Sequence, residues 1–446
     1  MYKDKKIFIL GMARSGYEVA KLLRKYTDKI IITDCKEQNS EHVKELQSLN
    51  INYVVTDKPE ELLDESFDVI VKNPGINYKN KCVVKAKKLN IPVINEVEVA
   101  YNLLPENVKI IAVTGSNGKT TTTTLIYEIL RHAGVNVHLG GNIGIPVSKV
   151  LESIKPNDLL VLEISSHQLQ DFINFKPDVA VMTNLTQVHL DFFENYENYK
   201  NHKVRIFKKQ TKDDIAILNY DDNDVLESTK NIKSKKLYFS RKSKTDIYLE
   251  NNNIYYQNEI LLTTDDIRLQ GNHNYENVMS AILAVKQFNI DTKVIKEVLN
   301  SFCGVEHRLE FVTKINNRSF YNDSKATNVK STIIAVSSFK NPTILILGGL
   351  DRGHSFEELT PYLNNVKQII CYGETKNRIK EYADKINIDC VVLDNLEEAT
   401  KAAYNLSNEN DVILLSPACA SWDQFDSFES RGELFKNVVN EIRKRN

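Results

Sequence analysis

Long hydrophobic runs are missing from this 446-residue chain. No apolar stretch approaches the ~18 residues that a membrane-spanning helix needs, so no membrane partner is expected. Excess charge is missing too. Lys plus Arg is 58, Asp plus Glu is 59 and the formal net charge is -1, so nothing in the overall balance calls for nucleic acid. The six cysteines, Cys35, Cys82, Cys303, Cys371, Cys390 and Cys419, are scattered without a C-x-x-C pair. That argues against a disulfide framework or a zinc site and suits a reducing compartment. Repeats of solenoid period and low-complexity linkers are absent. Near the N-terminus, lysines precede an apolar run from Ile7 to Leu10 that Gly11 and Arg14 cut short. This is a first strand, not a signal peptide, and a cytoplasmic location is expected.

What is present is an ordinary globular composition, 42% hydrophobic and 26% charged, on a chain too long for one core. Strand, turn and helix alternate: "KIFIL", "GMARSG", "YEVAKLLRKY", "KIIITD", then "FDVIVKNPGI". The alternation predicts βαβ units and mostly parallel sheets. A second block opens with "VKIIAVTG", and a third near Cys303 and Gly304 carries "PTILILGGLDRG" and "DVILLSPACAS". Between about Leu237 and Leu269, short β-like runs read as a small antiparallel insertion. The expectation is α/β, in three open-sheet domains at 1–98, 99–303 and 304–446.

One turn lacks the first glycine of the pattern it otherwise matches. "VTGSNGKT", Val113 to Thr120, ends like the Walker phosphate loop, but Val113 stands where that loop begins with glycine. The physics survives in the shorter form Gly115-Ser116-Asn117-Gly118-Lys119-Thr120. A strand feeding a glycine turn into a helix aims backbone N–H groups and the positive dipole end at an anion. Lys119 can reach terminal phosphates and Thr120 can ligate Mg²⁺. Glu163 ends the apolar strand of "LEISSHQL", where open sheets place ligands, with Ser165 at the crevice edge. "TQVHLDFF" sets His189 and Asp191 on the next loop, and "NYKNHKVRIF" carries Lys203. A lone carboxylate, histidine or lysine in such places is usually only solvated.

"GMARSG" is also short of a glycine, because Ala13 replaces the second Gly of a dinucleotide fingerprint. Asp34 at the end of the second strand could still meet a ribose.

Taken in order, these segments resemble the Mur ligase superfamily, ATP-dependent amide-forming enzymes of peptidoglycan synthesis, almost end to end. The resemblance implies an ATP loop at Gly115, Ser116, Asn117, Gly118, Lys119, Thr120 and Thr121. It implies two Mg²⁺ sites drawn from Thr120, Glu163, His189 and a carbamylated Lys203, whose carbamate would be an anionic oxygen donor. "GNHNYEN" would bring Asn277, with Asn274, to the adenine side; "GVEHRLE" and "NDSKATN" would bring Arg308, Asp323 and Lys325 to the nucleotide, Asp323 near its ribose. Within the superfamily, "GGNIG", "GGLDRG" and "LSPACASWDQFDSFESRG" look like the D-glutamate-adding branch. That implies Thr327, Arg352, Ser421 and Phe428 around the incoming glutamate. Arg352 stands where some members have Lys, and Arg suits a planar carboxylate at least as well. The first block would bind UDP-N-acetylmuramoyl-L-alanine, with Ser15 and Arg14 on the diphosphate, Asp34 on the uridine and Asn142 also on the substrate side. Trp422 is expected to pack beside Ser421.

The implied chemistry is activation of the substrate carboxylate as an acyl phosphate, with ADP released, followed by amine attack. The partners are then ATP, the UDP-substrate and D-glutamate, and a monomer is expected. No residue is identified as base for the amine. Sites shared between the second and third blocks imply a hinge near residues 300 to 305. A folylpolyglutamate synthase would lack the first block and the "SPACASWDQF" segment. A non-catalytic nucleotide-binding regulator would have no reason to keep Glu163, His189 and Lys203 together.

Overall fold

The computed structural model describes residues 1–188, 190–269, 271–302 and 304–445, with Asp191 described by its backbone alone. The chain divides into two compact units, residues 1–302 and 303–446.

The first unit holds two sheets. One contains β1 (Ile7–Leu10), β2 (Ile30–Asp34), β3 (Asn52–Val55), β4 (Val69–Lys72) and β5 (Val93–Ile94), in the order β3-β2-β1-β4-β5. Every pairing in it is parallel. All four residues of β1 are buried, as a strand covered by helices on both faces requires. The helix Glu96–Tyr101 then crosses from this sheet to the next, spanning the point between residues 98 and 99.

The second sheet contains β6 (Lys109–Thr114), β7 (Val137–Gly141), β8 (Leu159–Glu163), β9 (Val179–Met182), β10 (Ile215–Asn219), β11 (Lys235–Ser240), β12 (Ile247–Glu250), β13 (Asn253–Tyr256) and β14 (Glu259–Thr263). Their order is β14-β13-β12-β11-β10-β9-β6-β8-β7. The small antiparallel insertion expected between Leu237 and Leu269 is present only in part. Strands β11 and β12 continue the parallel sheet, and only β12-β13-β14 is antiparallel. The reason is apolar burial: Phe239, Ile247, Ile254 and Leu262 enter the same core as Val113, Leu125 and Ile282, so these strands cannot stand apart.

The two sheets are joined by a buried ion pair, Lys72 Nζ to Asp171 Oδ2 at 2.9 Å. Lys72 also donates to the backbone oxygens of Asn73 and Ile76, at 3.3 and 2.8 Å. With its charge and donors partnered, this lysine holds the first sheet's turn against the second sheet instead of destabilising both.

The second unit has one sheet, with β15 (Glu310–Ile315), β16 (Arg318–Asn322), β17 (Thr343–Gly348), β18 (Val366–Tyr372), β19 (Asp389–Val392) and β20 (Val412–Ala418). The order is β15-β16-β20-β17-β18-β19, antiparallel only between β15 and β16. The last helix, Phe428–Arg445, packs Phe435, Val438, Val439 and Ile442 against it. Among the described residues, no helix is long and apolar enough to cross a membrane.

Candidate active site

The phosphate turn follows β6. Gly115 has φ +146°, and a Cβ there would lie 1.9 Å from Thr183 Oγ1. Gly118 has φ +79°, and a Cβ would meet Asn277 Oδ1 at 2.2 Å. Both positions therefore need glycine for conformation and for space. Gly118 is the N-cap of the helix Lys119–His132 and offers it no side-chain cap, and a glycine turn opening a helix in this way is a place suited to an anion. The turn is bound to the loop after β9: Asn117 N donates to Asn184 Oδ1 at 2.9 Å, and Thr186 N to Ser116 Oγ at 2.8 Å. Lys119 Nζ folds onto its own turn, donating to the oxygens of Gly115 and Ser116 at 2.9 and 2.8 Å. Thr120 and Thr121 are buried at the helix start. Asn277 lies against Gly118, with its amide donating to Asn274 Oδ1 at 3.3 Å.

Two ionisable side chains are buried near this turn, Glu163 on the strand paired with β6, opposite Val113, and Lys203 bonded to the turn itself. Glu163, at the end of β8, is 2% exposed. Asn142 holds it twice: its side-chain amide donates to Glu163 Oε1 at 2.7 Å and its backbone N–H to Glu163 O at 2.8 Å. Ser165 caps the short helix after Glu163 in a reciprocal box with Gln168. Lys203 is 1% exposed and donates to Thr114 Oγ1 at 3.1 Å and Gly115 O at 2.7 Å. Burial, and then the charge of Lys119, hold its amine well below the usual lysine range, with Glu163 opposing them. Burial of this kind disfavours the ammonium form relative to the neutral amine. His189 lies outside the described residues.

Against the N-terminal turn is a cavity of about 490 Å³, lined from both sheets of this unit by Arg14, Tyr17, His42, Gly144 and Lys149 among others. The helix Arg14–Arg24 begins there, with no side-chain cap at Ala13. Ser15 is half-buried beside it. Arg14 donates to Gly144 O at 2.6 Å across the two sheets, and Tyr17 stacks on His42 with centroids 4.1 Å apart. Asp34 closes the turn, accepting from Met12 N at 2.8 Å and Lys36 N at 3.2 Å.

In the second unit, Asp323 is buried. Its carboxylate accepts from Leu309 N at 3.1 Å and Ser416 Oγ at 2.7 Å, and burial raises its pKa to about 7. Both oxygens thus have partners within the unit. Arg308 follows His307 in a tight turn, and Lys325 Nζ lies 5.5 Å from the centre of the Phe428 ring. Ser421 is buried, while Thr327 and Phe428 are half-buried. Trp422 does not pack beside Ser421 as expected. It is 65% exposed, with the Arg352 guanidinium over its ring.

Sequence reasoning passed over several residues that build these places. Tyr199 shares a 2.8 Å hydrogen bond with Ser116 Oγ, and its spacing of four from Lys203 on one helix was a usable signal. Arg431 is fully buried and donates to Ser324 Oγ, Ser324 O and Cys419 O at 2.9, 2.7 and 3.0 Å. Buried His307 accepts at Nδ1 from Asn322 Nδ2 at 2.9 Å. Neither had a signal, since their partners are distant in sequence.

Comparison with known proteins matches three family models in succession: a Mur ligase MurD-like N-terminal domain at residues 5–95, a Mur ligase middle domain at 113–285, and a Mur ligase, glutamate ligase domain at 307–419. Among curated relatives, a UDP-N-acetylmuramoylalanine--D-glutamate ligase from a Geobacillus species is 43% identical over 448 residues, covering 99% of each chain. One of the same name from Bacillus cereus is 41% identical, covering 99% of this chain and 98% of its own. Among solved structures, a UDP-N-acetylmuramate-alanine ligase from Thermotoga maritima aligns with TM-score 0.61 at 18% identity, over 99% of this chain and 100% of its own. At that identity the likeness concerns the fold.

Proposed function

The chain belongs to the Mur ligase family, and on that premise we propose that it joins D-glutamate to UDP-N-acetylmuramoyl-L-alanine with cleavage of ATP to ADP and phosphate, in the cytoplasm. The observation that carries this reading is buried Lys203 bonded to the turn that opens the Lys119 helix, with buried Glu163 on the neighbouring strand opposite Val113. A simple nucleotide-binding switch has no use for a desolvated lysine at that place. The choice of D-glutamate is supported by the two near-full-length relatives and their printed names.

The turn and Lys119 hold and neutralise the β- and γ-phosphates. Glu163, steadied by Asn142, and Thr120 have the hard oxygen donors that Mg²⁺ takes, and the metal would neutralise charge on the transferring phosphoryl group. Lys203 fits carbamylation because the neutral amine is the form that attacks CO₂, losing a proton as the N–C bond forms. The resulting carbamate, with His189, is proposed to hold a second Mg²⁺. The substrate's L-alanyl carboxylate attacks the γ-phosphorus, and the bond to ADP breaks. The neutral D-glutamate amine then attacks the acyl carbon, and the tetrahedral intermediate loses a proton from nitrogen and expels phosphate as its C–O bond breaks. Thr327, Arg352, Ser421 and Phe428 are proposed to hold D-glutamate, and Arg308, Lys325, Asp323 and Asn277 the nucleotide. Ser15, Arg14, Asp34 and the cavity beside them are proposed to receive the UDP portion, with Ser165 nearer the reacting end.

The test is phosphate release from ATP and Mg²⁺ with UDP-N-acetylmuramoyl-L-alanine, with D-glutamate, L-glutamate or no amino acid. Release that requires D-glutamate, with a heavier UDP-peptide formed in equal amount, is expected. Turnover indifferent to D-glutamate would remove the acceptor assignment. No turnover despite ATP binding would favour a regulator.

A further inference from the structure

The Arg352 guanidinium lies over the Trp422 ring in the second unit, its carbon 4.8 Å from the centre of the indole. Trp422 is the only tryptophan in the chain, and it is 65% exposed. A packing role would have buried so large an apolar ring. The main chain beneath the pair is firmly tied. Leu350 N donates to Ala420 O at 2.9 Å, and Phe425 N to Ser421 O at 2.9 Å. Asp351 N donates to Glu374 Oε2 at 2.9 Å, and Arg431 Nη1 to Cys419 O at 3.0 Å. Two exposed side chains therefore meet above two fixed loops.

We propose that Trp422 is a positioning residue for Arg352, holding the guanidinium flat so that its N–H edge is presented to a carboxylate of the incoming amino acid. This rests on the reading of Arg352 as a D-glutamate contact. The two interactions are compatible because they use different parts of the group: the face meets the ring and the in-plane edge meets the carboxylate. An arginine already laid on an indole has also surrendered rotamer freedom that a free one would lose on binding. A lysine, with a point charge and no planar face, would gain little of this orientation.

The experiment is steady-state kinetics on Trp422→Ala and Trp422→Phe in the full chain, varying the three substrates separately. Trp422→Ala is expected to raise KM for D-glutamate about fivefold, the worth of an exposed cation–π contact. The kcat and the other two KM values should stay within about twofold, which is below the size of one such contact. Trp422→Phe should recover most of the loss, because a phenyl ring keeps a π face. Adding Trp422→Ala to Arg352→Lys should do no further harm to the D-glutamate KM. An unchanged D-glutamate KM in Trp422→Ala would overturn the inference. So would a parallel rise in all three KM values, or a lowered melting point with a fallen kcat, since those belong to a packing role. If the unaltered enzyme itself makes no product with D-glutamate, the acceptor assignment fails and this pairing fails with it. Normal turnover with an indifferent Trp422 would remove the pairing alone.

Discussion

The proposed phosphate-transfer and amino-acid places present their ionisable groups in opposite ways. In the first, Glu163 and Lys203 are at most 2% exposed and bonded to side chain or backbone. In the second, Arg352 is exposed and rests on an exposed indole. The difference follows from what each place is proposed to do. Phosphoryl transfer depends on charges already oriented in a medium that screens them weakly, so desolvation is tolerated. A small amino acid must enter and leave, and a clamp reached from water suits that exchange.

The contrast is broken most directly at Lys203. Lys203→Ala is expected to lower kcat by about 10³-fold, in the range for loss of a preorganised electrostatic group. Activity of the unaltered protein should also fall when CO₂ and bicarbonate are stripped from the buffer and return when they are restored. Full activity in Lys203→Ala would show that burial here serves packing alone.

Next in size is the glycine turn. Gly115→Ala puts a methyl group 1.9 Å from Thr183 Oγ1 at a φ of +146°, and is expected to cost about 3 kcal/mol in urea unfolding. A loss under about 1 kcal/mol would mean that the turn shifts freely, contrary to its rigid tie to the loop after β9.

The exposed side should be gentler. Arg352→Met is expected to raise KM for D-glutamate about 30-fold, the worth of a charge-assisted hydrogen bond, without changing KM for ATP. An equal effect on both substrates would mean that Arg352 belongs to the nucleotide.

The smallest effect is on the pH dependence of stability, and here the units are alike. Glu96 in the first and Asp323 in the second both have burial-raised pKa values of about 7. Between about pH 4 and 7 the folded form holds protons on these groups that the unfolded form has released, so stability falls as pH rises. Glu96→Gln and Asp323→Asn should each flatten that fall in melting curves. A steeper fall in either variant would reverse the sign and place the charged form as the stabilising one.

Much of the architecture was legible because it is local. Apolar runs such as "IFIL" and "LLVLE", each followed by a turn and helix, announce strands covered on both faces. The glycines around Ser116-Asn117 announce a phosphate-sized turn. In the stretch from Leu237 to Leu269 the strand-like segments and their antiparallel end were legible, and the parallel pairing of β11 with β10 and β12 was not. Alternation along a strand says that one face is buried and does not say against which core. Trp422 departs from expectation for a related reason: an aromatic residue is usually packed, and only the tertiary structure leaves this one exposed with Arg352 over its ring. Asn142 was expected on the substrate side, and its bonds to Glu163 became visible only when β7 and β8 were paired.

By itself, the order of residues determined the strand–turn–helix rhythm, the glycines of the phosphate turn and the residue types able to hold phosphate, metal and carboxylate. The tertiary structure alone decided which of those groups are buried and which meet water. Lys203 becomes a poor ammonium ion because it is sealed beneath Thr114 and Gly115, residues 89 and 88 positions away. Desolvation belongs to the surroundings of a group, and those surroundings exist only once distant segments have packed together.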